Sequence, residues 1–99
     1  VNVLVSGLAE VPVAEAAVEV GDWLRGLVAA RGAEAVEIVG PAPAPLTRIK
    51  RRWRWHLVLR SPERALLGRV LRYAARRAPH AERGGPIRVV FDRDPVSLL

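Results

Sequence analysis

The stretch RWRWHLVLR, residues 52–60, running directly into Ser61-Pro62-Glu63-Arg64, constrains the fold more than any other part of the chain. Side chains alternate across a strand, so Trp53, Trp55, Leu57 and Leu59 share one face, and Arg54, His56, Val58 and Arg60 share the other. One face is apolar and the other largely cationic. A strand that only filled a core would have no use for these arginines, because guanidinium groups stay in water unless paired. The period then changes. Ser61 stands where a helix N-cap is wanted, Pro62 at the first helical position, and Glu63 near the positive end of the helix dipole. Leu66, Leu67, Val70, Leu71 and Ala74 make a buried stripe at helical spacing, with Arg69, Arg72 and Arg76 on the opposite side.

The same grammar occurs once more in the first half. VNVLVS (1–6) reads as a strand and GLAEVP as a loop. After Pro12, Val13, Ala16, Ala17, Val20, Leu24, Leu27 and Val28 recur at three- and four-residue steps up to Arg31-Gly32, which predicts a helix with Pro in its first turn and Gly past its end. Gly21 and Gly26 each cost that helix about 1 kcal/mol against alanine, a cost that close packing on a neighbour would explain. AVEIVG (35–40) predicts a second strand, GPAPAP an extended, poorly hydrogen-bonded connection, and IRVVFD (87–92) a last strand. The order strand-helix-strand-strand-helix-strand predicts an α+β split βαβ sandwich, a four-stranded antiparallel sheet with two helices on one face. Trp53 and Trp55 would then face the helices, and Arg54, His56 and Arg60 the open side.

Ninety-nine residues suit a single domain spanning 1–99. The chain has no cysteine, which removes disulfides and thiolate metal sites, and His56 and His80 make a poor ligand set. No apolar run approaches the roughly 20 residues of a membrane helix, so a soluble cytoplasmic protein with no membrane partner is expected. The sequence starts at Val1 and has no methionine, the mark of a piece of something longer. Charge is uneven: residues 1–47 hold two basic and six acidic groups, net −4, while residues 48–99 hold fourteen basic and four acidic, net +10. Such asymmetry points either to a polyanionic partner, often nucleic acid, or to a solvated arginine-rich surface.

For a nucleic-acid partner, the phosphate-binding candidates are Arg48, Lys50, Arg51, Arg52 and Arg54, with Arg60 on the same strand. The alternative is an inter-domain face in which these arginines pair with a neighbour's carboxylates. Trp53 and Trp55 fit either a base-stacking platform or, by their alternation with Leu57 and Leu59, the core. Arg64 lies in the first turn of the second helix, where free backbone N–H groups already favour an anion. A carboxylate ligand and a salt bridge to Glu63 or another domain both suit it. No catalytic residues stand out. An acylphosphatase-type hydrolase would need an anion-binding loop with an arginine after the first strand, and SGLAEV has one glycine and no cation. Walker, nucleophile-elbow and dinucleotide patterns are absent as well.

The runs Val39-Gly40-Pro41-Ala42-Pro43-Ala44-Pro45, Arg52-Trp53-Arg54-Trp55-His56-Leu57-Val58-Leu59, Ser61-Pro62-Glu63-Arg64 and Val89-Val90-Phe91-Asp92-Arg93-Asp94-Pro95, in this order, closely resemble the C-terminal end of the bacterial primosomal protein N′ family, the replication-restart helicases. The likeness covers residues 39–99 well and 1–38 in pattern. Arg51, His56, Glu63 and Arg93 depart from the family's usual glycine, glutamine, serine and valine. The resemblance implies the last, non-catalytic domain of an ATP-dependent 3′-to-5′ DNA helicase, similar to a small-subunit ribosomal protein fold. It further implies that this domain helps bind branched or single-stranded DNA. It also implies a contribution, through Arg64, to a pocket for the acidic C-terminal tail of single-stranded DNA-binding protein. A glutamine that accompanies this arginine in the family corresponds to Gly68. ATP, magnesium and zinc are implied only for the rest of the parent, along with contacts to its other helicase domains.

Overall fold

The computed structural model describes residues 1–81 and 85–92, with backbone alone for 45–49. The elements are β1 (Asn2–Gly7), α1 (Glu10–Ala30), β2 (Glu37–Ile49), β3 (Arg52–Arg60), α2 (Arg64–Arg77) and β4 (Ile87–Asp92). The sheet order is β2-β3-β1-β4 and all three neighbouring pairs are antiparallel. β1 and β2 therefore run parallel with β3 between them, the split βαβ arrangement that the element order predicts.

Register decides which side chains meet. Val3 pairs with Leu57 and Phe91, Val5 with Trp55 and Val89, and Gly7 with Trp53 and Ile87. These positions form the helix side of the sheet. Val3, Val5, Leu57 and Leu59 are fully buried there against Val13, Ala17, Val20 and Leu24 of α1 and against Val70, Leu71 and Ala74 of α2. Each fully buried Val or Leu contributes about 1.5–3 kcal/mol relative to exposure, so this layer supplies most of the driving force. Trp53 and Trp55 are partly buried and pack on the same core, as strand alternation predicts.

Several local expectations are corrected. α1 starts at Glu10, before Pro12, with Ala9 as an N-cap that makes no side-chain bond. Pro12 is the third helical residue, where its missing N–H is still one of the orphans of the first turn. α2 starts at Arg64, so Ser61, Pro62 and Glu63 precede the helix rather than opening it. The Ser61 hydroxyl still accepts the Glu63 N–H at 3.0 Å, closing a local turn two residues earlier than a cap would. The proline-rich run is not a bare connection but part of β2, which continues to Ile49. β2 is an edge strand, and register shifts between Val39 and Ala42 and between Pro43 and Arg48 absorb residues that cannot donate to the ladder.

At the first of these shifts Gly40 has φ 106, and a Cβ there would lie 3.0 Å from the His56 carbonyl oxygen. Only glycine lets β2 approach β3 so closely at this backbone angle. Arg25 of α1 reaches across to donate to the Gly40 carbonyl at 2.6 Å and the Ile38 carbonyl at 3.3 Å, pinning the irregular strand to the helix. Of the two glycines inside α1, Gly21 does meet a close neighbour, since a Cβ would sit 3.1 Å from Leu57 Cδ2, whereas Gly26 has nothing within 4 Å.

Candidate nucleic-acid interface

The open face of the sheet is not a uniform cationic wall. Pairing sets it out in rows: Val39, Val58, Asn2 and Asp92 in one; Ala42, His56, Leu4 and Val90 in the next; Arg54, Ser6 and Arg88 in the third. The first row is half apolar and the second largely so, with Val39 and Val90 each more than two-fifths exposed. Alternation along β3 alone shows only Val58 of these, because the other apolar members, Leu4, Val39, Ala42 and Val90, come from β1, β2 and β4. Cations gather at one end of the face, in the third row and in the β2–β3 hairpin beyond it.

That hairpin closes through a two-residue loop, Lys50-Arg51, between the paired residues Ile49 and Arg52. Both loop residues have positive φ, 50° and 67°, the backbone that tight antiparallel hairpins with primed turns require. Asn-Gly is the usual occupant, and L-residues with bulky side chains lose roughly 1–2 kcal/mol each in the left-handed region. This chain puts two long cations there, both exposed. Among the described residues no carboxylate pairs with either.

The neighbouring arginines divide. Arg52 turns back onto β1, its Nη2 donating to the Ser6 carbonyl at 3.2 Å and the Ser6 hydroxyl at 3.3 Å, while its Nε is buried without a hydrogen-bond partner among the described residues. It braces the hairpin against the central strand. Arg54 is half-buried and lies across Ser6 from Arg88, with the two backbones about 10 Å apart at the usual strand spacing. Arg88, exposed on β4, belongs to this end of the face. Its alternation in IRVVFD is visible in the sequence, but only the sheet order brings β4 beside β1. The Arg48 backbone pairs with Trp53 in the hairpin; its side chain lies outside the described residues, as does everything from Arg93 onward.

Arg60 does not join this cluster. Six residues along β3 from Arg54, it is roughly 20 Å away, and its Nε donates to Glu37 Oε1 at 2.5 Å. Both side chains are mostly exposed, so the pair adds at most about 1 kcal/mol. Arg60 instead borders a shallow cavity of about 340 Å³ with Val1, Leu59, Ser61, Arg64, Leu67, Gly68 and Leu71. Arg64 is the first residue of α2 and exposed, and Gly68 is buried one turn later. The two candidate regions thus sit at opposite ends of β3. His80, a lone histidine in the sequence, bonds Glu19 Oε1 at 2.7 Å through Nε2.

Among the described residues there is no group of three or more His, Asp or Glu able to hold a metal, and no helix is long and apolar enough to cross a membrane. The family model of the primosomal protein N C-terminal domain matches residues 1–96. The chain belongs to that family. Replication restart protein PriA of Haemophilus influenzae is 32% identical over 63 residues, which is 64% of this chain and 8% of that protein. The primosomal domain thus covers a small part of its relative's length. A thiolate zinc site needs cysteine, and the chain has none.

Proposed function

We propose that this primosomal C-terminal domain is a non-catalytic docking module that holds the phosphate backbone of branched or single-stranded DNA with its β2–β3 hairpin, in the bacterial cytoplasm, as part of an ATP-dependent replication-restart helicase. One observation carries the reading. Lys50 and Arg51 occupy a turn whose backbone favours Asn-Gly, so the fold gives up stability to present two cations at an exposed tip. Arg54 and Arg88 extend the positive surface toward the sheet, and Arg48 would add to it. Arg52 contributes by holding the hairpin, and Arg60 only through long-range field. The test is fluorescence anisotropy with labelled single-stranded and forked DNA across a salt series. Lys50→Ala/Arg51→Ala should weaken binding and lower the salt slope by about 1.4, two phosphates at roughly 0.7 each on a single strand. An unchanged slope would count against it.

At the other end of β3, Arg64 beside the partly exposed Val1 and Leu67 side chains offers a cation next to apolar surface, which suits the acidic C-terminal tail of single-stranded DNA-binding protein. Gly68 supplies no amide where the family has a glutamine, so affinity would rest on Arg64 itself. An acidic peptide with a free C-terminus should bind more tightly than its amidated form; equal binding removes the carboxylate role. A second reading, a brace packing against other helicase domains, is favoured by the exposed Val39 and Val90 on the open sheet face, whereas Arg52 and Arg60 are already bonded within the domain to Ser6 and Glu37. It predicts negligible DNA affinity for the isolated domain.

A further inference from the structure

On the helix side, away from the hairpin, α2 carries a second concentration of positive charge. Its sequence, RALLGRVLRYAARR, contains no acidic residue. Arg69, Arg72, Arg76 and Arg77 line one shallow depression of about 210 Å³ with Tyr73, and all are exposed. Arg69, Arg72 and Arg76 repeat at steps of three and four, the spacing at which like charges oppose each other on a helix. Among the described residues none of the three has a carboxylate partner. Arg76 and Arg77 gain from the helix C-terminus, but Arg69 and Arg72 lie too far from it for that compensation.

We propose that this face of α2 is a second, sequence-independent surface for the phosphate backbone of duplex DNA, separate from the hairpin. Two features select that occupant. Tyr73 is not available as a base-stacking platform: Trp23 stacks on it at 6.1 Å between centroids and 6° between planes, and the guanidinium groups of Arg31 and Arg77 lie 5.1 and 5.9 Å from its ring centre. The surface therefore offers N–H donors rather than aromatic faces, which disfavours recognition of unstacked bases. An acidic peptide would also need an apolar anchor pocket, and the depression is lined by four arginines and a single tyrosine. Arg69 to Arg76 spans two helical turns, roughly 10 Å, and duplex phosphates on one strand advance about 3.4 Å each along the axis, so three forks reach a run of neighbouring phosphates. With α2's buried stripe against the sheet, the two basic surfaces face different directions, and one domain can hold two DNA segments.

The test compares binding of a labelled duplex of about 20 base pairs over roughly 50–200 mM salt. The chain carrying Lys50→Ala/Arg51→Ala should still bind. Adding Arg69→Gln, Arg72→Gln and Arg76→Gln should lower the salt slope by about 2.7, three phosphates at ~0.9, which removes a roughly 40-fold affinity change across that range. Lysine at the same three positions should keep the slope. In the unmodified chain, duplex titration should shift the amide resonances of residues 69–76. Shifts confined to the hairpin and β4, an unchanged slope in folded glutamine variants, or tighter binding of polyglutamate than of duplex by this face would each overturn the proposal.

Discussion

Gly40→Ala is the perturbation that probes most sharply how this sequence builds the strand carrying the hairpin. Two costs add. Alanine at φ 106 leaves the regions open to L-residues, a strain of about 1–3 kcal/mol. Its Cβ would also press 3.0 Å from the His56 oxygen and 3.3 Å from Leu57 Cα, both backbone atoms of β3 that cannot swing aside as a side-chain tip would. Overpacking of this kind costs about 1–3 kcal/mol, giving a combined loss of about 2–6 kcal/mol from a total stability of about 5–15. At ~4–8 °C per kcal/mol for a domain of this size the melting temperature should fall by at least about 8 °C. Urea unfolding followed by far-ultraviolet circular dichroism and tryptophan fluorescence reads the effect directly. Gly26→Ala is the internal control: nothing lies within 4 Å of the added carbon, and replacing an exposed helical glycine should stabilise by about 0.5–1 kcal/mol. A neutral Gly40→Ala, or equal losses at the two glycines, would refute the close-approach argument.

Arg52→Ala removes two hydrogen bonds to Ser6 and should cost about 1–2 kcal/mol in urea unfolding, while Arg60→Ala, with both partners of its pair mostly in solvent, should stay within about 1 kcal/mol. Ser61→Ala removes the hydroxyl that accepts the Glu63 N–H and should lower stability by about 0.5–1 kcal/mol, with no change in the cooperativity of unfolding.

Much of the fold was legible because two hydrophobic periods separate cleanly. Alternation along 52–60 put Leu57 and Leu59 in the core and both tryptophans against it, and the helical stripes of α1 and α2 are the ones buried. Proline was the misleading signal. In GPAPAP it removes donors, which reads as a loop, but β2 is an edge strand paired on one side alone, and it survives there through bulges. At Ser61-Pro62 the chemistry of a helix start was present, yet the chain makes a local turn first and the helix waits for Arg64. The site was legible by charge but not by geometry. Nothing local told that Arg52 returns to Ser6, that Arg60 stands apart beside Glu37, or that Arg88 joins Arg54 across β1, because each depends on strand order. The positive φ of Lys50 and Arg51 was likewise hidden, since neither residue type announces it.

The most direct measurement takes Lys50→Asn/Arg51→Gly and reads stability and DNA affinity in the same preparation. Replacing two strained cations with the turn's preferred residues should raise unfolding free energy by about 1–2 kcal/mol and at the same time weaken single-stranded DNA binding, with a salt slope lower by about 1.4. A gain in stability with undiminished binding, or a loss of both, would contradict the claim that this domain trades hairpin stability for a cationic DNA contact.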